Sequence, residues 1–270
     1  MLRVIIQGAA GRMGRMLVNQ VLNDPELTLA AAIEIDTCPL LGQDAAAVAG
    51  LKPCGVAITA DLDAALPNAD AIIDFTTPTA TRQIAAKAAA HGVAHAIGTT
   101  GLNDDDKAQL RALAANGAKI VFAPNMSVGV NLLFALCAKV APLLGVDYDI
   151  EVIEMHHNRK QDAPSGTAVR LGEILAQARG LSYQKNTHHG RVGMIGPRPK
   201  NEIGMHALRG GDVVGDHTVI FAADGERVEL THKASSRETF AKGAIRAIKF
   251  LATAKPGLYD MQDVLNLKNL

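Results

Sequence analysis

Val4-Ile5-Ile6-Gln7-Gly8-Ala9-Ala10-Gly11-Arg12-Met13-Gly14 is the stretch that decides the fold. A short apolar run ends in glycines, and Arg12–Leu22 follows at once with Met13, Met16, Leu17 and Val21 at helix-face spacing. The glycines read G-x-x-G-x-x-G rather than the commoner G-x-G-x-x-G, but the physics is shared. Glycines let the backbone turn sharply and approach a pyrophosphate, whose charge then sits on the helix N-terminus. Glu34 closes the next apolar run, Leu29–Ile33, where an acid would hydrogen-bond adenosine ribose hydroxyls. The glycines alone would also suit a plain tight turn; strand, glycines, helix, strand and acid in this order favour a dinucleotide.

Further short apolar runs predict buried strands at Val56–Ile58, Ala71–Phe75, Val93–Ile97 and Lys119–Phe122. Helical stretches lie between most of them: Thr79–Ala90 is alanine-rich, and Asp104–Ala115 starts with acids and stops at Asn116-Gly117. This alternation predicts an α/β, Rossmann-like parallel sheet covered by helices. Three small polar turns end strands on the same edge: Asp74-Phe75-Thr76-Thr77-Pro78, Gly98-Thr99-Thr100-Gly101 and Ala123-Pro124-Asn125-Met126. Each could be an ordinary βα turn; together they outline a cofactor cleft.

After about residue 127 the character changes. Val128–Leu144 reads as a long helix, Asp149–Met155 as a strand and Ala168–Arg179 as a helix, while His217–Ala222 and Arg227–Thr231 read as antiparallel strands with one face exposed. Phe240–Ala252 is helical again and is expected to pack back on the first domain. The expected organisation is residues 1–126 plus 237–270 as the dinucleotide-binding domain and 127–236 as an α+β domain for substrate binding and oligomerisation.

Composition narrows the function. The chain has 270 residues, 48% hydrophobic, with 27 basic and 27 acidic side chains. A neutral chain lacks the basic surplus that phosphate neutralisation needs, so a nucleic-acid partner is not expected. Three Tyr, six Phe and no Trp make a poor stacking platform for single strands. Cys38, Cys54 and Cys137 are far apart and in no metal-like spacing, which fits a reducing compartment. The N-terminal apolar run is too short for a signal peptide, and no apolar stretch is expected to reach the roughly 20 residues of a membrane span. The expectation is a cytoplasmic protein with no membrane partner.

The second chemical signal is Glu154-Met155-His156-His157-Asn158-Arg159-Lys160-Gln161-Asp162-Ala163-Pro164-Ser165-Gly166-Thr167. A solvated surface loop is one reading of these residues. A metal site is another, but adjacent histidines diverge on an extended chain and no His-x-His or His-x-x-x-His is present, so no metal is expected. The chemical reading is acid catalysis beside an anion site. Histidine titrates near neutrality, Lys160 donates a proton or holds a carboxylate, and Ser165-Gly166-Thr167 offers hydroxyls and N–H groups ahead of a helix. His188-His189 reads as surface.

Around Glu34 the chain runs Glu34-Ile35-Asp36 without a base, and two acids would repel a 2′-phosphate. NADH is therefore the expected cofactor, with NADPH tolerated at most; Arg12 and Arg15 remain as phosphate partners. Two rivals to a reductase site for one small acid are a dehydrogenase of another small acid and a non-catalytic NADH-sensing module. Neither explains the His-His-x-x-Lys and Pro-Ser-Gly-Thr block.

These residues together resemble the 4-hydroxy-tetrahydrodipicolinate (dihydrodipicolinate) reductase family, of the lysine and diaminopimelate pathway. The resemblance rests on the glycine loop, Asp74-Phe75-Thr76, Gly98-Thr99-Thr100 and the His-His block, with Arg209-Gly210-Gly211-Asp212 and Thr231-His232-Lys233-Ala234-Ser235-Ser236-Arg237 further on, and runs to Leu270. It implies NAD(P)H-dependent reduction of a small cyclic dicarboxylic substrate and a homotetramer built through the second domain. It implies that His156 and Lys160 are catalytic. His157, Lys160, Ser165, Gly166, Thr167 and Arg237 would bind substrate. Gly8, Ala9, Ala10, Gly11, Arg12, Met13, Glu34, Phe75, Gly98, Thr99, Thr100, Ala123, Pro124, Asn125 and Met126 would bind the dinucleotide. Some family members carry Arg where this chain has Ile35 and Thr77, a departure that favours NADH.

Overall fold

A computed structural model describes residues 1–269 and divides into two compact units, residues 1–128 with 238–266 and residues 129–237 with 267–269. The unit boundary falls after Arg237, and the tail from Leu267 clusters with the second unit rather than with the first, as the expected 237–270 range had it. Leu270 lies outside the described residues.

The first unit begins β1 (Leu2–Gln7), α1 (Arg12–Leu22), β2 (Leu27–Ile33), α2 (Ala45–Val48), β3 (Ile58–Thr59) and α3 (Leu62–Ala65). It continues through β4 (Ala71–Asp74), α4 (Pro78–Ala90), β5 (Ala94–Ile97), α5 (Asp104–Ala115) and β6 (Lys119–Phe122). With β12 (Gly257–Tyr259) from the end of the chain, the seven strands run β12-β6-β5-β4-β1-β2-β3, all parallel. Strands buried on both faces explain the unbroken apolar runs. Val4, Ile6, Ile73 and Val121 pack with Leu17, Val18 and Val21 on one face, while Ile5, Ile33 and Ile72 pack with Leu62, Ile84 and Ala88 on the other. Each fully buried aliphatic side chain contributes about 1.5–3 kcal/mol relative to exposure. The acids of α5 are set as the sequence suggests: Asn103 and Asp106 form a capping box that satisfies N–H groups at the helix start.

The second unit follows with α6 (Val128–Leu144), β7 (Asp149–His156), α7 (Gly166–Ala178), α8 (Tyr183–Asn186), β8 (Thr187–His189), β9 (Ile203–Arg209), β10 (Gly215–Ala223) and β11 (Glu226–Ala234). Its sheet has the order β11-β10-β7-β9-β8. β10 and β11 are antiparallel as expected, and β10 is also antiparallel to β7, but β9 pairs parallel with β7 and β8, so the sheet is mixed. The chain reaches β9 by crossing over α7, and a crossover is what parallel pairing requires. The chain then returns to the first unit as α9 (Glu238–Thr253), β12 (Gly257–Tyr259) and α10 (Met261–Val264). Ala241, Ala244, Ala247, Ile248 and Leu251 of α9 join the core around β1 and α1. Gly243 is forced by packing, since a Cβ there would stand 1.8 Å from the Met126 carbonyl.

One expectation needs correcting. Among the described residues, one helical stretch, Val128–Asp147, is long and apolar enough to cross a membrane, with mean hydropathy 1.8. Its Val130, Leu133, Phe134, Cys137 and Ala141 instead form part of the second unit's core. A core helix of this kind is apolar because it is buried in protein.

Candidate active site

The first unit carries the dinucleotide cradle. Gly8 takes φ +71°, a conformation glycine adopts at no steric cost, and Gly11 N–H then closes back on Gly8 O at 3.1 Å. α1 starts at Gly11 with no side-chain cap, so its first N–H groups are left for a ligand. A Cβ on Gly14 would lie 2.0 Å from Gly8 O, so the helix sits against the loop only because Gly14 has none. Glu34 accepts from Ala10 N–H at 2.9 Å and reaches Ile35 N–H with its other oxygen at 3.3 Å, which anchors the acid beside the loop. Arg15 is drawn onto the loop by donating to Ala10 O at 2.8 Å. Glycine geometry, an uncapped helix start and an adjacent acid together fit a dinucleotide.

The two middle turns are tied together by Asp74, which is fully buried. Its carboxylate accepts from Thr76 N–H (2.9 Å), Thr76 Oγ1 (2.6 Å) and Thr81 Oγ1 (2.6 Å). Thr99 Oγ1 lies 3.4 Å from it and receives Thr76 N–H at 3.1 Å. His95 Nε2 stands 3.5 Å away, an electrostatic neighbour rather than a formed hydrogen bond. Burial works against the Asp74 charge, but His95 and the hydroxyls outweigh it and hold the carboxyl below its ordinary value. The Phe75 ring lies where a Cβ on Gly98 would be, 2.2 Å away. Among the residues expected at the cofactor, the Thr99 side chain is thus committed to Asp74, and the Ala123 and Met126 side chains are core. Thr100, Pro124 and Arg12 are exposed.

The second unit carries the acid-base group. His156 Nδ1 donates to Glu154 Oε2 at 2.6 Å. A carboxylate only accepts, so the ring's proton is fixed on Nδ1 and Nε2 is the reactive nitrogen. Glu154 is 1% exposed. Its remaining capacity is filled by the Arg209 fork at 2.9 Å on each oxygen and by Ser165 N–H at 3.0 Å. Burial opposes its charge, but Arg209, His156 and Ser165 outweigh burial and keep Glu154 ionised below the usual carboxylate range. Ser165 caps α7, its Oγ accepting from Ala168 N–H at 3.2 Å. Ahead of it a Cβ on Gly166 would meet nothing within 4 Å, so the helix start opens onto free space.

His157 Nδ1 is buried with no hydrogen-bond partner. Burial, then the charges of Arg237 and Arg159, push its pKa down, which marks a crowd of cations where an anion would be welcome. Lys160 lies at this edge and pairs with Asp162 at 2.8 Å. The structure therefore joins His156 and Ser165 through Glu154, draws Arg237 towards His157, and sets Lys160 on Asp162 rather than on His156.

Sequence reasoning assigned no role to Glu154, Arg209 or His217. The usable signal was strand phase. Ile150, Val152 and Glu154 alternate inward on β7, as do His217, Val219 and Phe221 on β10. A charged or imidazole side chain at a core phase needs a partner, and here the partners are each other's neighbours.

Comparison with known proteins shows the family. The N-terminal model of the dihydrodipicolinate reductase family matches residues 2–126, and its C-terminal model matches residues 129–265. The chain is 52% identical over 268 residues to the 4-hydroxy-tetrahydrodipicolinate reductase of Hahella chejuensis, covering 99% of this chain and 100% of that one. It is 51% identical over 268 residues to the enzyme of that name from Anaeromyxobacter dehalogenans, covering 99% of each. Among solved structures, the dipicolinate-bound dihydrodipicolinate reductase of Paenisporosarcina sp. TG-14 superposes with a TM-score of 0.76 at 26% identity, covering 97% of this chain and 98% of that one.

Proposed function

The chain belongs to the dihydrodipicolinate reductase family and is an oxidoreductase, and from that premise we propose that it reduces 4-hydroxy-tetrahydrodipicolinate to tetrahydrodipicolinate in lysine and diaminopimelate biosynthesis. When bound, a reduced nicotinamide dinucleotide supplies hydride to the conjugated ring. The chain's residues hold it through the Gly8–Met13 loop, Glu34, the Phe75 and Gly98–Thr100 turns, and the 123–126 turn. The substrate's carboxylates meet Ser165, Gly166, Thr167, Lys160, His157 and Arg237. Loss of water takes the hydroxyl and a hydrogen from the adjacent ring carbon and leaves the ring conjugated. After hydride addition the ring needs one proton, which the His156/Lys160 group supplies, the same group assisting the loss of water. His156 delivers the proton from Nε2, with Glu154 holding the imidazole's other nitrogen and stabilising the charged imidazole.

The observation that carries this reading is the 2.6 Å contact from His156 Nδ1 to a Glu154 carboxylate that Arg209 and Ser165 keep in place. A positioned acid is worth about 10²–10⁴-fold. His156→Gln should lower kcat by that factor while leaving dinucleotide affinity unchanged, and an unaltered kcat would remove His156 from the reaction.

We propose that NADH is preferred over NADPH. Support comes from Glu34, anchored on the loop, and from Ile35 and the acid Asp36, both exposed beside it. The ratio of kcat/KM for the two cofactors decides, and a strong NADPH preference would refute the reading. We also propose a cytoplasmic homotetramer. Its free cysteines fit a reducing compartment. The sheet face opposite the second unit's core, carrying Ile153, Ile220 and the 46%-exposed Leu208, fits burial against further copies. A solution mass of one chain would refute the assembly.

A further inference from the structure

We propose that His217 is a positioning residue of the active site, which holds the Ser165 hydroxyl so that its hydrogen is presented to a substrate carboxylate. The inference rests on the reading that Ser165 binds that carboxylate.

His217 sits on β10 at an inward phase, 3% exposed, and pairs in register with Glu154 of β7. Its Nε2 lies 3.1 Å from Ser165 Oγ. Its Nδ1 is buried and has no hydrogen-bond partner. Two arrangements would satisfy the Nε2 contact. If Ser165 donated to Nε2, the ring proton would sit on Nδ1 and be a buried donor with no acceptor. If Nε2–H donates to Ser165, only a lone pair is left unmet at Nδ1. Orphaned N–H donors are the rarer and costlier case, so the proton belongs on Nε2.

The consequence falls on Ser165. Its oxygen has two lone pairs and one hydrogen. Ala168 N–H fills one lone pair, and His217 Nε2–H fills the other. The hydroxyl hydrogen is then directed away from both, with no choice between accepting from a ligand and donating to it. A carboxylate needs a donor, so the arrangement selects for an anion at the mouth of α7. Burial, with His156's charge as a smaller influence, pushes the His217 pKa down to about 3, so the ring is neutral and does not compete for the anion as a cation.

The same ring touches the proton donor. The His156 and His217 centroids are 5.2 Å apart at 76°, edge against face. Gly215 clears room for both, since a Cβ there would lie 3.0 Å from His156 Nε2 and 3.6 Å from His217 Cε1. One buried imidazole thus abuts both the carboxylate-binding hydroxyl and the acid.

The test is a double-mutant cycle on the full chain with NADH bound, read by calorimetric binding of dipicolinate and, separately, by kcat and KM for substrate and NADH. Ser165→Ala and His217→Phe should each weaken dipicolinate by roughly tenfold or more, the size of a lost hydrogen bond to a charged group. The double variant should be no weaker than Ser165→Ala alone, and KM for NADH should not move. His217→Gln, whose amide places an N–H near the Nε2 position, should retain affinity within about threefold of the native protein. His217→Asn, whose amide is too short to reach Ser165, should behave like His217→Phe and replaces it if that variant does not fold. Additive losses in the cycle, or equal weakening by Gln and Asn, would overturn the proposal. Unchanged binding in Ser165→Ala would overturn both the proposal and the Ser165 reading beneath it. Because dipicolinate binding is measured without turnover, failure of the reaction itself is seen independently.

Discussion

Two buried carboxylates stand near strand ends, one in each unit, and they do different work. Asp74 of β4 is surrounded by Thr76, Thr81 and Thr99 hydroxyls with His95 nearby, all but the half-buried Thr76 within the packed interior. Glu154 of β7 is surrounded by Arg209, the Ser165 backbone and His156, whose ring is partly accessible at 12%. Both are held ionised against burial. Asp74 has only uncharged hydroxyl and backbone partners, from the two turns and the start of α4, so it organises turns. Glu154 has two partly accessible side chains as partners, Arg209 and His156, and through His156 its buried charge acts on a group that can meet a substrate. The cradle and the acid site differ in the same way: the first is built from backbone and missing side chains, the second from charged side chains.

The sharpest way to break this comparison is at Glu154. Glu154→Gln keeps the shape but removes the charge that Arg209 and His156 need. It should cut kcat by about 10²-fold or more and destabilise the second unit by about 3 kcal/mol. Kinetics with denaturant melts would show both losses, and a variant that melted normally with full kcat would make Glu154 as structural as Asp74. Asp74→Asn should have a smaller effect, about 1–3 kcal/mol, with a raised KM for the dinucleotide and unchanged dipicolinate affinity. A drop in dipicolinate affinity instead would show that the two carboxylates are not separable in function.

The smallest effect is with pH. The folded pKa of His217, about 3, lies below the ordinary 6.5, so the unfolded chain takes up that proton first. The corresponding stability is complete above pH 6.5 and is lost as pH falls towards 3. Glu151, half-buried beside Arg191, Arg198 and His206, has the same sign, with a window from 4.5 down to about 2. In the first unit the Asp74 contribution begins to fade only below about 3.8. Stability between pH 6.5 and 4.5 should therefore decline mainly in the second unit, measured by hydrogen exchange at two pH values, and His217→Gln should flatten that slope.

Legibility followed locality. The strand–glycine–helix element and the acid at Glu34 lie within one short segment, and α1, α5, α6 and β6 match their expected bounds. Short elements were missed: β12 has three residues and β8 three, too few to display a period. Val56–Ile58 appears as a strand only at Ile58–Thr59, because Val56 is spent in a bridge-like contact with Ala45 N–H rather than in the ladder. In the site, His156, Ser165 and Lys160 were readable because they share one loop. Lys160's pairing with Asp162 and Thr99's commitment to Asp74 were not, since each depends on which neighbour a side chain meets after folding.

Sequence alone determined that a parallel dinucleotide sheet is followed by an acid-base and anion-binding segment, because glycine geometry, strand periodicity and helix starts are short-range physics. Tertiary structure decided which side chains complete that segment. The register of β7 sets Glu154 opposite His217 of β10 and His156 opposite Arg209 of β9. A slip of one residue in either pairing would turn those side chains to the other face of the sheet. Such register is settled by the packing of a whole core, across more than fifty residues of intervening chain, and no local pattern encodes it.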